Sequence, residues 1–460
     1  MTLICLAFTR RKRLTTRAIV VRHGQSTYNT ERRIQGRSDV STLTQKGCDD
    51  ALKTGNALSH LKFAAIYSSP LQRAKTTAEV IGQCLATPTQ IQTTDNLKEI
   101  DLPLWEGMLS QEVKDNLGED YRLWKQHPDE FMMLLPQSTG GEKKFFPVLS
   151  LYEQARQFWQ EILSRHDGET ILIVGHNGIN RGLISTALGI APDRYHSIQQ
   201  SNCGISVLNF SGELGPVQLE SMNQTGHLGD VLPSLRPNHR GVRLLLVRHG
   251  ETEWNRQTKF QGQIDVPLND NGRSQSRLAQ EFLKGVKLDF AYSSPMLRPK
   301  ETAEIILHSH PHIELQLLDG LREIGHGLWE GKLETEIEQT YPGELERWRS
   351  VPQEVLMPEG ENLEQVRDRS VKAWQQIVTS TLNQQLSTGL VVAHDATNKV
   401  LLCHILGLDN KYFWNFRQGN GAVSVIDYPQ GLDGLPILQA MNITTHLGGG
   451  VLDKTAAGAL

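Results

Sequence analysis

Two short stretches hold the residues best suited to chemistry. Arg22-His23-Gly24 follows the apolar run Ala18-Ile19-Val20-Val21, and Arg248-His249-Gly250 follows Leu244-Leu245-Leu246-Val247 in the second half of the chain. Each half has another histidine behind a second apolar run, His176 after Ile171-Leu172-Ile173-Val174 and His394 after Leu390-Val391-Val392-Ala393. A Ser-Ser-Pro turn then leads to Arg73 or Arg298, and a Trp-Glu-Gly turn is preceded by a separate glutamate, Glu99 or Glu323. Imidazoles attack or move protons, guanidiniums hold anions, and carboxylates donate or accept protons. A lone histidine after a strand is an ordinary, partly buried side chain. The joint pattern, met twice in one chain, is hard to obtain by chance.

The elements that position these residues also repeat. Val21-Arg22-His23-Gly24 is echoed by Val247-Arg248-His249-Gly250, Gln35-Gly36 by Gln261-Gly262, Trp105-Glu106-Gly107 by Trp329-Glu330-Gly331, and Met222-Asn223 by Met441-Asn442, at a nearly constant offset. A period this long makes each copy a whole domain rather than a solenoid unit. Pro233, Pro237, Asn238 and two glycines interrupt the pattern between the copies. The expected organisation is a disordered extension over 1–17, domains over 18–226 and 242–446, a linker over 227–241 and a flexible tail over 447–460. The short apolar runs read as strands buried on both faces of a mainly parallel sheet, and residues 71–85 and 297–307 read as helices. The fold class is therefore α/β, two tandem three-layer α/β/α sandwiches. In such sheets ligands bind beyond the carboxyl ends of the strands, where all four histidines fall.

Composition narrows the function. In 460 residues, 47 Lys and Arg against 51 Asp and Glu give a net charge of −4, which provides no basic footprint for nucleic acid. No apolar run approaches the roughly 18 residues that span a bilayer, so no membrane partner is expected. Near the N-terminus the apolar stretch precedes Arg10, Arg11, Lys12 and Arg13, the reverse of a secretory signal. The five cysteines are scattered and never spaced as C-x-x-C, which reads as reduced thiols in a cytoplasmic protein.

Arg22-His23-Gly24-Gln25-Ser26, Arg248-His249-Gly250-Glu251-Thr252 and Ser68-Ser69-Pro70-Leu71-Gln72-Arg73-Ala74 resemble signatures of the histidine phosphatase superfamily, which includes the phosphoglycerate mutases. The resemblance covers both copies almost end to end and implies sandwiches of the phosphoglycerate mutase-like type. It implies that His23 and His249 attack phosphorus and carry the phosphoryl group as phosphohistidine, which divides one hard displacement into two easier ones. Arg22, Arg73 and His176, with Arg248, Arg298 and His394, would clamp the transferring group. Glu99 and Glu323 would protonate the leaving alkoxide and later activate water. Asn29 and Asn255 would add neutral donors to the phosphate, or are simply loop formers. The implied reaction is hydrolysis of small phosphorylated metabolites such as sugar phosphates. The alternatives are mutase-type transfer and a phosphate-binding scaffold with one silent domain. The tandem arrangement is similar to that of family members in photosynthetic organisms that remove inhibitory sugar phosphates.

Further expectations remain open at this level. Glu106 and Glu330 read as structural turn residues. Asp395, where the first copy has Asn177, either caps a helix or tunes the site, with the cap favoured. The aromatic stretches around Trp124 and Trp348 serve as lids or as core. No cofactor or metal is implied, because no P-loop, H-E-x-x-H or clustered carboxylate ligand set is present, and activity is expected to survive chelators. A homo-oligomer is left open.

Overall fold

A computed structural model describes residues 15–138, 140–211, 216–236, 239–448 and 450–455. The first domain contributes strands β1 (Thr15–Arg22), β2 (Ala65–Ser68), β3 (Ile91–Thr93), β4 (Met133–Pro136), β5 (Glu142–Phe145), β6 (Thr170–Gly175), β7 (Ile205–Ser211) and β8 (Val217–Gln224). The second contributes β9 (Val242–Arg248), β10 (Phe290–Ser293), β11 (Leu315–Leu317), β12 (Thr388–Ala393), β13 (Val423–Tyr428) and β14 (Ile437–Ile443). β4 and β5 pair with each other. The remaining strands form one 12-stranded sheet in the order β11-β10-β12-β9-β13-β14-β8-β7-β1-β6-β2-β3.

Along β1, successive side chains enter different clusters. Ala18 and Val20 pack with the helices Pro147–Leu163 and Asn177–Leu188, while Ile19 and Val21 pack with Gln45–Leu58 and Gln72–Cys84. Both faces of the strand are covered, which is why its sequence is a continuous apolar run and why the domain has three layers. The same arrangement recurs in the second domain, where Leu245 and Val247 meet the helices Asp270–Leu283 and Leu297–Leu307. No described helix is long and apolar enough to cross a membrane.

The domains join edge to edge. β8 and β14 pair antiparallel through Met222 and Met441, and one hydrophobic cluster runs from Ala18 and Val20 to Leu244 and Leu246. Pairing covers one edge of each sheet, and β3 and β11 remain the edges of the joined sheet.

Three expected boundaries change. Strand β1 starts at Thr15, because Thr15, Thr16 and Arg17 pair with Ser211, Phe210 and Asn209 of β7. Residues 1–14 of the expected extension lie outside the described residues. The tail expected to be flexible from 447 is instead folded over 450–455. Val451, 6% exposed, packs with Ile19, Val21 and Val207 of the first domain. Asp453 accepts from Arg417 Nε at 2.9 Å and Asn442 Nδ2 at 3.1 Å, and its own N–H donates to Glu220 Oε1 at 3.0 Å. The expected linker is likewise held, with Leu232 packed on the second domain's cluster and the Pro233 carbonyl accepting from Arg243 Nη1 at 2.7 Å. Each copy's terminal segment therefore lies across the other copy.

Candidate active site

Register brings the two histidines of each copy together. Arg22 of β1 lies opposite Gly175 of β6, and the next residues, His23 and His176, have ring centroids 5.1 Å apart. Arg248 lies opposite Ala393 in the second copy, and the His249 and His394 rings are 5.2 Å apart. The glycine after the first histidine is required by close packing. A Cβ on Gly24 would collide with the Gly47 carbonyl, and one on Gly250 would collide with that of Gly272.

The tautomer of the first histidine follows from its neighbour. His23 Nδ1 lies 2.7 Å from the Gly24 carbonyl, as His249 Nδ1 does from the Gly250 carbonyl. A carbonyl only accepts, so Nδ1 carries the hydrogen and Nε2 keeps its lone pair for attack. Burial, then Arg22 and Arg73, holds His23 well below the ordinary imidazole range, and burial, then Arg298 and Arg248, does the same for His249. Both imidazoles are neutral at physiological pH.

Donors surround that lone pair. Arg73 Nη1 and Nη2 donate to the Ser38 and Gly36 carbonyls at 2.8 and 3.0 Å, while Arg22 Nη1 donates to Gln200 O at 2.8 Å. Among the described residues, Arg22 Nε, Arg73 Nε and both ring nitrogens of His176 are buried with no hydrogen-bond partner. Each such group costs about 1–3 kcal/mol, so their convergence beside His23 marks a place built for acceptor oxygens. In the second copy Arg298 Nε donates to His249 Nε2 itself at 3.3 Å, and Arg298 Nη2 to the Gly262 carbonyl at 2.8 Å.

The glutamates sit on helix starts. Glu99 accepts from Ile100 N, Gly178 N and Ile179 N at 2.8, 3.0 and 3.1 Å, the latter two from the first turn of Asn177–Leu188. Glu323 accepts from Ile324 N, Thr397 N and Ala396 N at 3.0, 3.3 and 3.4 Å. Burial, then the Asp395 charge, raises Glu323 above the usual carboxyl range. Asn29 Oδ1 accepts from Ser26 N and Asn202 Nδ2, both at 3.1 Å, which leaves its amide Nδ2 for the cavity it lines. Asn255 is held the same way by Thr252 N and Asn420 Nδ2. Glu106 and Glu330 brace the Gln-Gly turns by accepting from Arg37 N and Gln263 N. Trp124 packs in an aromatic cluster with Trp105, Phe131 and Tyr195 and also lines the cavity, whereas Trp348 is buried against Phe413 and Trp414.

One expectation is overturned by this geometry. His394, not Asp395, occupies the cap position, and Asp395 opens the helix Asp395–Leu406. Its Oδ1 lies 3.4 Å from Arg248 Nη1 and its Oδ2 lies 2.7 Å from Lys399 Nζ. A buried carboxylate beside two cations is stabilised by pairing, which outweighs any gain from capping. The second site is consequently less positive than the first, where Asn177 stands at that place.

The seam between domains supports both sites. Asn223, at φ 53°, accepts from Ser201 N at 2.7 Å and donates across the seam to Gln439 O at 2.6 Å. Asn442, at φ 55°, accepts from Gly419 N at 2.7 Å and donates to Glu220 O at 2.7 Å. Next to Ser201 and Gly419, Asn202 Nδ2 and Asn420 Nδ2 donate to the His23 and His249 carbonyls at 2.9 and 3.1 Å. None of these asparagines was singled out from the sequence as a site residue. The repeat still marks them, because Gln200 and Asn202 recur as Gln418 and Asn420. Replacing Asn223 with alanine orphans two buried partners. The expected cost is about 2–4 kcal/mol in unfolding free energy from urea denaturation and about tenfold in kcat/KM at the first site. Unchanged kinetics in a destabilised variant would make Asn223 purely structural.

The pattern of the histidine phosphatase superfamily (branch 1) matches residues 18–225 and 244–442. The chain belongs to the histidine phosphatase superfamily. It is a phosphomonoesterase of small phosphorylated metabolites. It is 31% identical over 453 residues to 2-carboxy-D-arabinitol-1-phosphatase of Triticum aestivum, covering 94% of this chain and 86% of that protein. Phosphoserine phosphatase 1 of Hydrogenobacter thermophilus is 35% identical over 207 residues, 45% of this chain and 95% of its own length. The solved structure of Bacillus stearothermophilus YhfR is 29% identical, covers 45% of this chain and 99% of that one, and superposes with a TM-score of 0.42. Phosphoserine phosphatase 1 thus matches about half of this chain, and the wheat protein nearly all of it.

Proposed function

We propose that both domains hydrolyse phosphomonoesters through phosphohistidine, with His23 and His249 as nucleophiles. Nε2 attacks phosphorus as the bond to the leaving oxygen breaks, and Glu99 or Glu323 supplies that oxygen's proton. The same carboxylate then takes a proton from water, whose oxygen displaces the imidazole and frees phosphate. Arg22, Arg73 and His176, or Arg248, Arg298 and His394, hold the equatorial oxygens, while Asn29 and Asn255 donate from the side. The observation that carries this reading is the Nδ1–H bond to the neighbouring glycine carbonyl, which leaves Nε2 of each histidine unprotonated among cationic donors. The likeness to the wheat enzyme favours sugar-derived phosphates as substrates. Four described cysteines, Cys48, Cys84, Cys203 and Cys403, are free thiols, which supports a reducing, cytoplasmic setting.

The test is phosphate release from a panel of sugar, sugar-acid and amino-acid phosphates in excess EDTA, with rapid quenching after a radiolabelled substrate. Label bound to protein, labile to acid and stable to base, is the expected result. Turnover that needs an added divalent ion, or that leaves no labelled protein, would refute the mechanism.

A further inference from the structure

The first domain's cavity, about 350 Å³, extends from Arg22, Asn29 and Glu99 to a second wall formed by Arg181, Gln199 and Arg236, with Lys125 at its mouth. Arg236 belongs to the segment between the domains. Its Nη2 and Arg181 Nη2 both donate to one oxygen, Gln199 Oε1, at 2.5 and 3.2 Å. A neutral amide oxygen does not balance two guanidiniums. Arg181 is only 7% exposed, and its Nε is buried without a partner. His196 adds no counter-charge, because Nε2 faces the Trp124 carbonyl at 2.8 Å and Nδ1 faces Arg181 Nη1 at 3.3 Å.

Among the residues lining this cavity, Arg22, Lys125, Arg181 and Arg236 meet a single carboxylate, Glu99, while Arg33 pairs with Glu31 at 2.6 Å. Burial, then Arg181, lowers Arg236 to about 9, as expected for crowded cations. The second domain provides the contrast. There Lys399 takes the place of Arg181 and pairs with Asp395 at 2.7 Å. The same position is thus neutralised in one copy and left uncompensated in the other.

We propose that Arg181 and Arg236 bind a second anionic group on the phosphorylated substrate of the first domain. This rests on the phosphatase reading of that site. Planar forks suit both carboxylate and phosphate oxygens, and Arg181 and Arg236 line the same small cavity as Arg22 and Asn29, so one compact molecule can meet both ends. The chain between the domains therefore contributes to specificity in one of them.

The test uses the full chain carrying His249→Ala, so that only the first site turns over, with and without Arg236→Gln. The substrates are glucose 6-phosphate, 6-phosphogluconate and glucose 1,6-bisphosphate. Arg236→Gln is expected to lower kcat/KM about 10- to 100-fold for the substrate with a second anion and under about threefold for glucose 6-phosphate. A selective loss with 6-phosphogluconate identifies a carboxylate site, and one confined to the bisphosphate identifies a phosphate site. Equal losses on all three, or none, would overturn the proposal. If no compound is hydrolysed, calorimetric binding of 6-phosphogluconate separates the two readings. Weakening by Arg236→Gln sustains the subsite while hydrolysis fails, and unchanged binding removes the subsite as well.

Discussion

A chain carrying both His23→Ala and His249→Ala loses phosphate release by at least about 10⁴-fold, whereas each single variant keeps the activity of the other domain. The loss is large because no neighbouring group can replace the nucleophile. His176 and His394 stand beside it, but neither has a carbonyl held against Nδ1 to fix its tautomer. His23 and His249 are each 2% exposed, so alanine leaves a cavity as well as removing the reacting atom. Asparagine at the same positions fills more of the space without supplying a nucleophile, and both pairs of variants should be equally inactive. Phosphate release is measured alongside far-ultraviolet circular dichroism. Single variants that each abolish all activity would mean the domains do not turn over independently. A folded double variant that still releases phosphate would remove phosphohistidine from the mechanism.

Arg73→Ala, tested with His249→Ala so that only the first site turns over, is expected to lower kcat/KM by about 10²–10³-fold. Two of its donors are already committed to the Ser38 and Gly36 carbonyls, which fixes the plane of the guanidinium and leaves the buried Nε without a protein partner. In the second copy the equivalent Nε of Arg298 donates to His249 Nε2. Lysine would keep the charge but could not bridge the two carbonyls while presenting a third donor, so Arg73→Lys should recover only part of the loss. Most of the effect should appear in kcat, because the clamp is worth most as charge spreads over the transferring group. Full activity in Arg73→Lys would show that charge alone suffices and that the fork is incidental.

The pairing of histidines at each site was legible because its signals are local. A strand buried on both faces must be a continuous apolar run, and the residue just past its carboxyl end must face the crevice. His23, His176, His249 and His394 could therefore be placed by their neighbours in sequence. The helices expected over 71–85 and 297–307 form at Gln72–Cys84 and Leu297–Leu307, since apolar side chains at turn spacing have one sheet face to cover. Asp395 was harder. A carboxylate after a strand looks like a cap, and only the approach of Arg248 from a different strand shows that pairing outweighs capping.

What the sequence determined by itself was the repeat, the α/β class, the family and which histidines meet at each site. The class is carried by short-range periodicity, and the repeat and the family by short motifs that recur in both halves of the chain. The tertiary structure alone decided that the two sheets fuse through β8 and β14, that residues 450–455 and 232 lie across the opposite copies, and that Arg236 enters the first cavity. Asn223 reaches Gln439 and Asn442 reaches Glu220 over separations of 216 and 222 residues. No local pattern encodes such contacts, because each side chain would look equally ordinary on an exposed strand edge. They arise only when packing brings two copies of one fold together.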